Sequence, residues 1–359
     1  MIDHPTSTTS RFPSSIEEEI KERIEKELEN INAGIGYASA ACGSDILFIE
    51  AMLKRQAEIH VILPFAKESF LATSVSFAGE AWKARFENVL EQATTVKYAT
   101  EQDYFGDDEL FGYTNVLITG QSQLKATMFH TEPYFLGVAS NKSSSNKTGG
   151  TQHFIQKNKN SNKNEIIINT DEIINEQSVN VNNASEAVHT KEVGRSIPSG
   201  MERKVKSILF ADVVGFSKIP EHQKPYFLKD FMDLLSARIK ALDFEAEVLN
   251  TWGDAIFFVG KTADQATQFA MMLKDMVLNT NWEERNLPMN LNIRIALHAG
   301  PVFFGNDPVL NSKNAYGAHV NRAARMEPVT IPGQIFASEQ FVANLIVETP
   351  DLYNFEFVG

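Results

Sequence analysis

The sequence predicts a mixed helix-and-sheet protein of two folded blocks, α/β in the first and α+β in the second. Three observations predict it. The chain has 359 residues, and at about 150 residues per domain that length favours two domains, each able to bury a core without disulfides. Apolar residues recur at helical spacing in some segments and as short buried runs in others, bounded by Gly, Ser and Asp turns. Between the blocks the composition breaks: residues 141–190 carry 11 Asn in 50 positions and one aromatic, Phe154. Such a stretch buries too little apolar area to offset its ordering entropy. Residues 141–202 are therefore expected to be a flexible linker, with IIINTDEII at most a transient strand or helix. The blocks are then 14–140 and 203–359, preceded by a polar, disordered tail at 1–13.

Composition narrows the function. The 46 Asp and Glu outnumber the 33 Lys and Arg, for a net charge of −13. That argues against a chain built to coat nucleic acid or anionic membrane, because such binding runs on basic patches. Cys42 is the only cysteine, so neither an intrachain disulfide nor a Cys-based zinc site can form, and a reducing, cytoplasmic compartment is expected. No window approaches the ~20 apolar residues of a membrane span. Nucleic acid and membrane are thus not expected partners.

In the first block, Ser14 and Ser15 precede a charged helix whose Ile16, Ile20, Ile24 and Leu28 recur every four residues. A short strand follows near 35–39, then a small-residue turn at Ala41-Cys42-Gly43-Ser44, a helix from Ser44 or Asp45 to about Arg55, and a buried strand at 60–64. This is a βαβ-like unit. A small-residue loop entering a helix can receive a phosphate on its backbone N–H groups, which makes Gly43 and Ser44 a candidate phosphate loop; a plain strand-to-helix turn is the competing reading. Gly34-Ile35-Gly36 lacks the third glycine of a dinucleotide fingerprint. The block resembles the Rossmann-like segments, of the SLOG and TIR-related kind, found in some bacterial signalling proteins.

In the second block, 205–211 reads as a buried strand ended by Asp212, a carboxylate that is costly there unless something cationic meets it. Residues 246–250 and 255–260 read as strands joined by the turn Thr251-Trp252-Gly253-Asp254. Two strand-end carboxylates, Asp212 and Asp254, form a site able to hold two Mg²⁺ ions against a triphosphate.

The segments FADVVGFS (210–217), NTWGDAIF (250–257), IRIALHAGPVFFG (293–305) and YGAHVNRAARME (316–327) resemble the class III nucleotidyl cyclases, the adenylate/guanylate cyclase catalytic domain, across 203–359. The resemblance implies a ferredoxin-like domain that converts a ribonucleoside triphosphate to its 3′,5′-cyclic monophosphate and pyrophosphate. It implies Asp212, Asp254 and the Val213 carbonyl as ligands of two Mg²⁺ or Mn²⁺ ions. Asn321 matches the ribose-positioning asparagine, and Arg325 the arginine that stabilises the transition state. On a helix over 318–327 these two lie at i and i+4, on one face. The resemblance also implies a head-to-tail homodimer, each site drawing on both protomers.

Two departures follow. The positions that read the base in this family are Asn250 and Asn314, where Lys/Asp would signal adenine and Glu with a small residue guanine. An amide is donor and acceptor at once, so ATP is expected first from the family's base rate, GTP second, with a pyrimidine triphosphate as a minority option. The family's phosphate-contacting lysine would lie in a C-terminal hairpin beyond Gly359, and no lysine follows Lys313. An inactive, nucleotide-binding module with a regulatory or scaffolding role therefore stands as the alternative.

Overall fold

A computed structural model describes residues 2–3, 12–140, 164–176, 197–309 and 311–359. The chain divides into two compact units, Met1–Ser196 and Ile197–Gly359. Among the described residues, no helix is long and apolar enough to cross a membrane.

The first unit is built on a parallel three-stranded sheet ordered β1 (Ile35–Ala38), β2 (Glu58–Leu63), β3 (Thr95–Tyr98). Helix α1 (Glu17–Asn30) buries Ile20, Ile24 and Leu28, the stripe its four-residue spacing predicts. It packs on α2 (Ser44–Lys54), the crossover between β1 and β2. Helices α3 (Lys67–Ser74) and α4 (Glu80–Gln92) precede β3, and α5 (Glu109–Met128) packs against β1 and β2. Parallel strands joined by helices give the expected Rossmann-like arrangement.

Two expectations need correction here. Residues 164–176 are ordered parts of this unit: β5 (Asn164–Asn169) pairs in parallel with β4 (Tyr134–Ala139) along all six residues, and α6 (Thr170–Glu176) follows it. Ile168 and Ile173 are buried, and Arg23 on α1 reaches Glu176 at 2.6 Å. Asn-rich surroundings hide a strand that needs few apolar anchors once a neighbour supplies its hydrogen-bond ladder. The rest of the expected linker before residue 197 lies outside the described residues. The expected 1–13 tail is also anchored at its described ends, where Ile2 and Phe12 are buried and Ile2 N–H donates to the Cys42 carbonyl at 3.1 Å.

The second unit is an antiparallel sheet ordered β10 (Ser312–Tyr316), β9 (Asn292–Asp307), β6 (Glu202–Val214), β8 (Ala255–Gly260), β7 (Val248–Trp252), with β11 (Ile335–Ala337) beside β9 in parallel. Alternation along β6 sorts its side chains. Leu209, Ala211 and Val213 enter a core with α7 (Met232–Lys240), α8 (Ala263–Asn279) and α10 (Glu339–Glu348). Ile208 and Phe210 face the other way, into a smaller cluster with Phe257, Phe304 and Ala323 of α9 (Ala318–Met326). Asp212, two residues beyond Phe210, belongs by parity to this second face. A π-helical turn at Phe227–Phe231 leads into α7, where Phe227, Phe231 and Trp282 stack in series.

Candidate active site

Sheet register builds the site. Strand β6 runs antiparallel between β8 and β9, and Asp212 stands opposite Ala255 on one side and Arg294 on the other. Because Trp252 pairs with Ala255, Gly253 and Asp254 form a two-residue turn, which Gly253 enters at φ 66°. β7 thus extends two residues further into the expected turn, and Asp254 lands beside Asp212. The last β6–β8 pair is Asp212 with Ala255, so the β8-facing edge of β6 is unpaired at Val213, where the carbonyl ligand is expected.

The electrostatics are those of crowded carboxylates. Burial and the neighbouring Asp212 push the Asp254 carboxyl up to about 6. Arg294 Nη2 donates to Asp212 Oδ2 at 2.8 Å, and Arg294 Nε lies 2.7 Å from Glu327 Oε1. That second contact is misaligned for a hydrogen bond, and both of its atoms are buried without a hydrogen-bond partner. Burial, together with Asp212 and Asp254, raises Glu327 as well, against the opposing pull of Arg294. Three carboxylates therefore share one guanidinium. The donor set fits hard divalent cations, which take one or two carboxylates and complete their shell with water and phosphate oxygens. Arg294 and Glu327 were not singled out from the sequence, although a charge inside the apolar run 293–299 was a signal of the same kind as Asp212.

Asn250 on β7 and Asn314 on β10 come together, the former's Nδ2 donating to the latter's Oδ1 at 3.4 Å. Asn314 Oδ1 also accepts from Ala315 N–H at 2.9 Å. A backbone N–H can only donate, so the Asn314 oxygen is fixed as the acceptor. Asn321 and Arg325 lie on the exposed side of α9, whose buried residues are His319 and Ala323. Among the described residues of one copy, the cation that meets Asp212 and acts on Asp254 is Arg294.

The Gly43–Ser44 loop is closed by the chain's own groups. Gly43 takes φ 105°, Cys42 N–H donates to the Ser74 carbonyl at 3.1 Å, and the Asp45 carboxylate accepts from Ala41 N–H at 3.2 Å. These bonds take up the N–H groups of Ala41 and Cys42 as a strand-to-helix turn does. Cys42 is buried, which pushes its thiol up to about 11, the behaviour of a packing residue.

Residues 201–358 match the family model of the adenylate and guanylate cyclase catalytic domain. This segment is a class III nucleotidyl cyclase domain. Among curated proteins it is similar to guanylate cyclase 2G of Rattus norvegicus, 30% identical over 153 residues, which are 39% of this chain and 14% of that protein. Adenylate cyclase type 9 of Gallus gallus is 28% identical over 141 residues, 37% of this chain and 10% of the relative. The chain thus spans a small part of the length of these relatives. Among solved structures, the cyclase domain is similar to the catalytic core of a rhodopsin-guanylyl cyclase with converted specificity in complex with ATPαS. Identity there is 25%, with 40% of this chain and 83% of that one covered, at TM-score 0.35. Adenylyl cyclase CyaB from P. aeruginosa is 22% identical, with 40% and 82% covered, at TM-score 0.36. The compact unit begins at Ile197 and the family match at 201, slightly before the boundary expected at 203.

Proposed function

We propose that the cyclase domain converts a ribonucleoside triphosphate to its 3′,5′-cyclic monophosphate and pyrophosphate. The observation that carries this reading is that the β6–β8 register, which sets Asp212 opposite Ala255, brings Asp254 beside Asp212, where burial and that carboxylate raise it. Asp212, Asp254 and the Val213 carbonyl would hold two Mg²⁺ or Mn²⁺ ions. When bound, such ions acidify the ribose 3′-hydroxyl and offset charge on the departing pyrophosphate. The chain's own part is positioning and charge stabilisation. Asn321 orients the ribose, and Arg325 meets the charge that builds at the α-phosphate. Arg294, released from Asp212 once cations neutralise it, has Nη groups to offer a phosphate.

The exposed placement of Asn321 and Arg325 supports a site completed by a second copy, in a head-to-tail homodimer. Asn250 and Asn314 together offer a donor and an acceptor, which a purine edge can match as adenine N6/N1 or guanine O6/N1. ATP is our first choice and GTP the second. Incubating the full chain with ATP, GTP, CTP or UTP and Mg²⁺ or Mn²⁺, then identifying cyclic products by mass, tests the reading. Absence of a cyclic product from all four would overturn it.

A further inference from the structure

The helix presenting Asn321 and Arg325 is nine residues long, and only His319 and Ala323 of it are buried. Ala323 has a methyl to pack. His319 has more: its Nδ1 lies 2.9 Å from Nε2 of His298 on β9, and His298 Nδ1 lies 2.7 Å from Ser338 Oγ. The ring centroids are 5.2 Å apart with planes within 8°. With nitrogens in contact, that describes two coplanar imidazoles sharing an in-plane hydrogen bond rather than stacked faces.

Each end of this relay is built into the frame. Ser338 caps α10, its Oγ accepting from Phe341 N–H at 3.2 Å, while its own N–H donates to the Leu297 carbonyl of β9 at 2.9 Å. Strand β9 is shaped for the other end, since a Cβ at Gly300 would fall 2.1 Å from His319 Nδ1. Burial and the guanidinium groups of Arg322 and Arg203 push His319 down to about 4. Burial, His319 and Arg322 lower His298 as well. Both rings are neutral near pH 7, so one supplies an N–H and the other a lone pair. Neither has a place in the metal, base or phosphate sites.

We propose that His319 is a positioning residue for the cyclase reaction: through His298 and Ser338 it sets the seat and rotation of α9, and so the direction in which Asn321 and Arg325 project. At about 100° per residue, those two lie roughly 200° and 240° around the helix from His319, on the opposite face. Holding the inner face therefore aims the outer one. A displacement of about 1 Å at reacting groups can lower rate ~100-fold, and His319 is the polar anchor among the residues this helix buries. The proposal rests on the reading that Asn321 and Arg325 act on the substrate.

The test compares H319L, H319N and R325A in the full chain. It measures kcat and KM for the triphosphate that yields product, and amide exchange across 318–326 by mass spectrometry. Leu keeps the bulk and loses the hydrogen bond; Asn places an amide group where Nδ1 sits. H319L should lower kcat by about 10- to 100-fold with KM within about threefold and speed exchange in α9, whereas H319N should recover most of both. Wild-type kcat and exchange in H319L would overturn the proposal. Equal impairment of H319L and H319N would overturn it too, since that is what packing alone predicts. Wild-type turnover by R325A would instead overturn the reading of α9 on which it rests.

Discussion

Asp254 shows what one residue's surroundings disclose. Its carboxyl is pushed up to about 6 by burial and by Asp212, so in the metal-free protein its ionised form is held against a repulsion. Removing that charge relieves the fold while removing a proposed metal ligand. Asp254→Asn should abolish cyclase turnover, raise the melting temperature of the metal-free protein by about 2–4 °C for relief on the order of 1 kcal/mol after solvent screening, and remove the stabilisation that Mg²⁺ gives the wild type. Thermal melts with and without Mg²⁺ read all but the turnover; an unchanged Mg²⁺ response would place the metal elsewhere. Asp212 was legible because a carboxylate at the end of an apolar run is costly unless something uses it, and Asp254 because it sits in the turn joining two strands. Arg294 satisfied the same rule yet escaped notice, since its partners Asp212 and Glu327 are 82 and 33 positions away in sequence and only the strand register joins them.

The buried histidines make a residue-scale prediction of the opposite sign. His319 is lowered to about 4, so between about pH 4 and its ordinary value near 6.5 the unfolded chain binds a proton that the folded chain refuses. Stability then rises with pH across that window and is level above it, at up to about 1.4 kcal/mol per pH unit for the group. Melting the wild type and H319N from pH 4.5 to 7.5 should show a shallower acid decline in the variant. Parallel curves would mean that His319 contributes nothing to the decline.

At the scale of elements, long periodic segments were legible and short supported ones were not. Helix α1 announced itself through Ile20, Ile24 and Leu28, whereas β5 sits in an Asn-rich tract and borrows its stability from β4. Local composition reports what a segment can bury alone, not what a neighbouring strand edge offers it. The fit of α9 on β9 is the same lesson within the cyclase domain, for nothing in the motif shows that Gly300 must lack a side chain. Gly300→Ala would drive a Cβ to within 2.1 Å of His319 Nδ1, so the helix or the ring must move. We expect a loss of about 1–3 kcal/mol in stability, as for other overpacked sites, and a fall in turnover exceeding that of a surface Gly→Ala control. Denaturant melts and a cyclase assay measure the two. Wild-type values in both would show that the contact yields without consequence.

At the scale of the molecule, the question is how many copies make a site. Asp212 and Asp254 lie together at the end of β6, while Asn321 and Arg325 project from the exposed side of α9, a division that a head-to-tail pair would resolve by letting one protomer hold the ions and the other hold ribose and phosphate. A closed two-fold dimer of this kind has two equivalent sites. Asp254→Ala and Arg325→Ala should each remove turnover, the latter by roughly 10³-fold. Mixed in equal amounts and allowed to exchange, they form heterodimers in about half of the dimers, and each heterodimer carries both lesions in one site and none in the other. Activity should return to about a quarter of the wild-type value per chain, the statistical limit for random pairing. It should also depend on protein concentration as association does. A mixture that stays inactive, although light scattering shows dimers exchanging, would mean that each copy builds its own site, and the exposed face of α9 would then need another explanation.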